Sequence, residues 1–189
     1  MNRDEIASKL KSIGKITIPM SEVHDVINTM ASEIFSQKRD QRSFEKVYED
    51  CSNVVIEFAL AKSLNGQRNP HEFDMKIPNT FCWDVEADQK RFEVKRHKVG
   101  TKWFSYPENK IQTFKKYKHN VDYLITAYMD TNNADQCYEV EFALITEARS
   151  FFDYYQQSKY KNSLPYYNHP VASKNNQCTI INLREPGNW

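Results

Sequence analysis

No apolar run in this chain approaches the roughly 18 residues that a membrane-spanning helix requires. The opening stretch, "MNRDEIASKLKSIG", mixes charges of both signs and lacks the apolar core of a signal peptide. A cytoplasmic protein without a leader is therefore expected. The four cysteines, Cys51, Cys82, Cys137 and Cys178, lie far apart and form no C-x-x-C pair. That spacing argues against a zinc site and for reduced thiols. The five histidines show no metal-ligand spacing. No Ser/His/Asp arrangement or glycine-rich phosphate loop is present to suggest acyl transfer or nucleotide binding.

What the sequence does contain is charge of one sign in one place. The formal net charge is only +1, yet positions 90 to 119 hold ten Lys or Arg against Glu93 and Glu108, a local balance of +8 that leaves −7 for the remainder. A basic segment inside a nearly neutral protein suits a polyanionic partner held at one face.

Hydrophobic periodicity divides the chain into helical and extended parts. Asn2 is expected to cap a helix ending at Gly14, and Ser21 a second carrying Val23, Ile27, Met30 and Ile34 on one face. One long helix is then predicted over 43–64, stopping at Asn65-Gly66. From there the period changes to two, and strands are predicted over 71–77, 81–87 and 91–97 as a three-stranded meander. Ser105, Pro107 and Glu108 open a further helix through a capping box. Strands over 121–129 and 137–145, an aromatic-rich helix over 147–158 and a late strand over 178–183 follow. The expected class is α/β, a single domain over 1–189 with N-terminal helices (1–42), a central core (43–129) and a C-terminal α/β extension (130–189).

The stretch "WDVEADQKRFEVKRHK" carries the functional argument. A turn at Asp88-Gln89 places Trp83 opposite Val94 and Val85 opposite Phe92 on an apolar face. The same register sets Asp84 opposite Glu93 and Glu86 opposite Arg91 on a charged one. Two directly opposed carboxylates are destabilising unless solvent, a shared proton or a cation intervenes. A hard divalent ion such as magnesium uses one or two carboxylates and keeps waters that can be delivered to a phosphate. Lys95, two residues beyond Glu93, shares that face and sets a cation beside the acids.

Asp84, then eight intervening residues, then Glu93-Val94-Lys95 on the next strand, resembles the motif of the restriction-endonuclease-like, or PD-(D/E)xK, nuclease superfamily. The resemblance spans roughly 43–129, where the order helix, three strands, helix, strand is similar to that family's core, with Trp83 standing where the motif has proline. It implies that Asp84, Glu93 and the Val94 carbonyl hold Mg2+, with Mn2+ as a substitute, and that Lys95 positions or activates water. Of four (Asp/Glu)-x-Lys triplets, at Asp74, Asp88, Glu93 and Glu108, only Glu93 combines strand geometry with a facing acid.

Glu57 is the only charge in "VVIEFALA", and the resemblance implies an outer metal ligand there; snorkelling to water is the alternative. Arg96, His97, Lys98, Lys102, Gln112, Lys115 and Lys116 are the expected nucleic-acid contacts, combining phosphate-seeking charge with positions where related nucleases touch their substrate. The aromatic run "FFDYYQQSKY" suits core packing better than base stacking. The expected function is a Mg2+-dependent deoxyribonuclease, an endonuclease acting as a monomer or homodimer. The rival readings are an inactive DNA-binding module of the same fold and a protein-interaction domain.

Overall fold

The computed structural model describes residues 1–36, 43–69, 83–97, 103–105, 121–157, 163–165 and 180–184. It is a mixed α/β structure. Helix α1 (Arg3–Ile13) starts in a capping box, in which the Asn2 side chain accepts from the Glu5 amide and Glu5 accepts from the Asn2 amide. It stops at Gly14, whose φ of 66° suits glycine.

The first quarter is not all helical, as the sequence suggested. Strand β1 (Lys15–Pro19) intervenes before α2 (Met20–Ser36), and α2 starts one residue before Ser21, the expected cap. The long helix expected over 43–64 is also divided, into α3 (Phe44–Cys51) and α4 (Val54–Leu64). Local polar bonds explain the break. Ser52 Oγ donates to the Glu49 carbonyl at 2.5 Å and Asn53 Nδ2 to the Asp50 carbonyl at 2.8 Å, so side chains compete with the helical ladder where the apolar period runs on.

After α4 come β2 (Gln67–Arg68), β3 (Val85–Ala87), β4 (Lys90–Arg96), β5 (Trp103–Ser105), β6 (Tyr123–Asn132), β7 (Cys137–Glu147), α5 (Ala148–Gln157), β8 (Ser163–Pro165) and β9 (Ile181–Asn182). The main sheet runs β1-β7-β6-β4-β3-β2, with β9 also paired to β7, while β5 and β8 form a separate pair. Only β4 and β6 run parallel among these partners, which a long crossover between them permits. The predicted strand over 71–77 and the helix after Ser105 lie outside the described residues. Strand β2 is the neighbour that β3 has on its outer side.

The hairpin register matches the one read from the sequence: Val85 faces Phe92, Glu86 faces Arg91 and Ala87 faces Lys90. Asp88 and Gln89 both adopt positive φ, 50° and 59°, the geometry of the two-residue turn that fits twisted strands.

One face of the sheet meets α1, α2 and α4 in a continuous core that includes Ile6, Leu10, Ile27, Ile56, Phe92, Val94 and Ile125. Fully burying a side chain such as Phe92 contributes about 1.5–3 kcal/mol. Phe151 and Phe152 of α5 are wholly buried and meet edge to face at 5.6 Å. That part of the aromatic run is therefore core, as its composition suggested.

Candidate active site at the end of the β3–β4 hairpin

The β3–β4 ladder ends at Val85, and one residue earlier the chain bends at Asp84. The bend is braced from both sides. The Asp84 amide donates to the Phe92 carbonyl at 2.8 Å, while the Asn69 amide donates to the Asp84 carbonyl at 2.8 Å and Asn69 Nδ2 to the Trp83 carbonyl at 3.0 Å. Asn69 is buried, and so fixes the segment that carries the first acid.

The two acids expected to confront each other have each found a donor. Asp84 Oδ2 accepts the Val94 amide at 2.5 Å. Glu93, 2% exposed, has Oε1 2.6 Å from the Lys95 ammonium. The cation that relieves their repulsion in this structure is thus Lys95 itself. Burial disfavours its charge, but Glu93, then Asp84, and also Glu57 outweigh that penalty and hold Lys95 well above the ordinary lysine range. Lys95 is therefore a fixed ammonium here, fitted to stabilise negative charge rather than to accept a proton.

Glu57 approaches from α4 and is 8% exposed. It does not snorkel to water: Arg68 on β2 places both Nε and Nη2 3.0 Å from Glu57 Oε2. The same guanidinium lies 4.5 Å over the Phe58 ring. An apolar helix can bury a carboxylate in this way because the opposite charge is supplied from the adjacent strand. Asp84, Glu57, Val94, Lys95 and Arg96 line one cleft of about 290 Å³.

The expected nucleic-acid contacts divide. Arg96 is exposed at the cleft wall, with Nη2 donating to the Met129 carbonyl at 3.2 Å. His97 is 4% exposed and packs edge-on against Tyr128 at 4.9 Å. Its ring is withdrawn into the sheet, which corrects its expected place on a phosphate-binding surface. Lys98, Lys102, Gln112, Lys115 and Lys116 lie outside the described residues.

Arg68 and Asn69 are site residues that sequence reading missed. They sit in "NGQRNP", which reads as turn chemistry. The available signal was the lone Glu57 in an apolar helix, since a buried acid calls for a nearby cation.

Among the described residues no group of three or more His, Cys, Asp or Glu side chains is clustered as a metal-holding set. The donor chemistry nevertheless suits a hard cation. Asp84, Glu93 and Glu57 all act on one ammonium, and two carboxylates with a backbone carbonyl and waters are a set magnesium accepts.

Residues 3–136 match the family model described as bacteriophage T4 endonuclease IV. That span contains Glu57, Arg68, Asp84, Glu93 and Lys95. No curated protein and no solved structure matches the chain.

Proposed function

Since the chain belongs to the bacteriophage T4 endonuclease IV family, we propose that it is a Mg2+-dependent deoxyribonuclease cutting internal phosphodiester bonds, built on a restriction-endonuclease-like core. The observation that carries this reading is the convergence of Asp84, Glu93 and Lys95 at the open end of one hairpin, beside a cleft.

Asp84, Glu93 and the Val94 carbonyl would hold the metal, with Glu57 as an outer ligand. A bound Mg2+ would supply Lewis acidity and a more acidic water at the phosphate. The chain's own residues do the rest. The Val94 amide fixes one lone pair of Asp84, so its carboxylate is oriented before substrate arrives. Lys95, held as an ammonium, offsets the charge that develops on the phosphate oxygens as water attacks phosphorus and the P–O bond to the leaving oxygen breaks. Arg68 holds Glu57 in place through two 3.0 Å contacts. Arg96 at the cleft wall, together with Lys98, Lys102, Gln112, Lys115 and Lys116, would grip the DNA backbone without reading sequence.

The test is incubation of purified protein with DNA in Mg2+, in Mn2+ and in chelator. Cleavage that a chelator abolishes and added metal restores supports the reading. DNA binding with no cleavage under any metal would replace it with the binding module.

A further inference from the structure

Thr126 on β6 is 4% exposed, and among the described residues its hydroxyl has no hydrogen-bond partner. Buried hydroxyls nearly always have one, because desolvating the group without compensation is costly. A valine would fill the same space at no such cost, so packing does not account for the oxygen.

Its position does. In the parallel β4–β6 ladder Thr126 is the register partner of Lys95, and Leu124 is the partner of Glu93. Register partners project to the same face, with neighbouring strands about 4.8 Å apart. Thr126 therefore places a polar atom beside Lys95 where the neighbour of Glu93 is apolar. The β6–β7 register also shifts between Thr126 and Ala127, whose partners are Leu144 and Phe142. Bulges of this kind re-aim side chains next to active sites.

The Lys95 ammonium now rests on Glu93. If Glu93 is to serve a divalent cation, its hold on Lys95 weakens, and a side chain that is one-third exposed is able to swing into solvent. We propose that Thr126 is the positioning residue that prevents this: its hydroxyl accepts an N–H of Lys95 as Glu93 turns to the metal, keeping the positive charge at the cleft. The proposal rests on the nuclease reading above. No covalent bond changes; one hydrogen bond replaces another.

Thr126→Val and Thr126→Ser separate the hydroxyl from the shape of the side chain. Turnover on DNA, KM, Mn2+ binding by calorimetry and the metal-free melting temperature are measured for both and for wild type. With Thr126→Val, kcat falls about 10- to 100-fold, the worth of a hydrogen bond to a charged group, while KM is unchanged. Its Mn2+ affinity falls several-fold, and its melting temperature is equal to or above wild type. Thr126→Ser keeps turnover and Mn2+ affinity near wild type. Turnover and Mn2+ affinity of Thr126→Val within twofold of wild type would overturn the proposal, as would equal losses in both variants with lowered melting temperatures. If wild type itself fails to cut DNA, the nuclease reading falls and this inference with it, an outcome distinct from an active wild type beside an unimpaired Thr126→Val.

Discussion

The Lys95 ammonium lies 2.6 Å from Glu93, a carboxylate only 2% exposed and two residues away on the same strand. The counter-ion of this buried carboxylate is supplied by its own strand. Removing Lys95 leaves a buried charge short of its counter-ion. Lys95→Ala is expected to lose cleavage and about 1–3 kcal/mol of stability, the lower range reflecting the exposed third of the lysine. The paired change Glu93→Gln with Lys95→Met should regain most of the stability while remaining inactive. Urea unfolding midpoints check this; a Lys95→Ala protein as stable as wild type would refute the pairing.

Glu57 and Arg68 form the second buried ion pair at the site, joined by two 3.0 Å contacts. Glu57→Gln is expected to raise the Mg2+ concentration for half-maximal cleavage by about tenfold, the scale of an outer-ligand loss. Arg68→Ala should shift it in the same direction and lower stability as well. An unchanged Mg2+ titration curve for Glu57→Gln would remove Glu57 from the metal site.

Gly66 closes the connection between α4 and β2 against the hairpin. A Cβ there would come within 2.5 Å of the Glu86 carbonyl oxygen and 2.7 Å of Ala87 Cβ. Both obstacles are rigid, so the backbone would have to shift. Gly66→Ala is expected to cost about 1–3 kcal/mol, seen as a lower urea midpoint. A neutral effect would show that α4 and β3 are not this close.

Edge strand β1 is clamped to β7 by Lys15, whose Nζ lies 2.7 Å from Glu139. Hydrogen bonds from Lys15 and Asn132 hold the Glu139 carboxyl below its ordinary range. A carboxyl with a lowered folded value stabilises the fold above its unfolded value and loses that contribution as pH falls through the folded one. Glu139→Gln should therefore show a shallower loss of stability on acidification below pH ~4.3. Identical acid unfolding curves for Glu139→Gln and wild type would count against the clamp.

How much of this was legible in the sequence varied with how local each signal is. The β3–β4 hairpin was readable over its three inner pairs, since the two faces of one ribbon constrain a single register and the Asp88-Gln89 turn fits it; the outer pairs expected at Asp84–Glu93 and Trp83–Val94 fall beyond the ladder, where the chain bends. Strand β1 was not. Its five residues lie directly between two strongly periodic helices and are stabilised by pairing with β7, more than a hundred positions away. The division of the 43–64 helix was hidden because Val47, Cys51, Val54 and Val55 keep their apolar period through the break, which Ser52 and Asn53 create by backbone bonding. Arg68 was missed because its role depends on where β2 lies against α4. His97 was misplaced because charge patterning does not show which way a strand-end ring turns.

We propose that Asp84, Glu93 and Lys95 form a metal-dependent catalytic centre. It is tested most directly by incubating circular single-stranded and supercoiled double-stranded DNA with wild type, Asp84→Asn and Lys95→Ala, in Mg2+, Mn2+ or chelator. Metal-dependent cleavage by wild type and its loss in both variants are expected, with DNA binding by Asp84→Asn retained. Cleavage by Asp84→Asn at the wild-type rate, or a wild type that binds DNA yet cuts neither form in either metal, would contradict it.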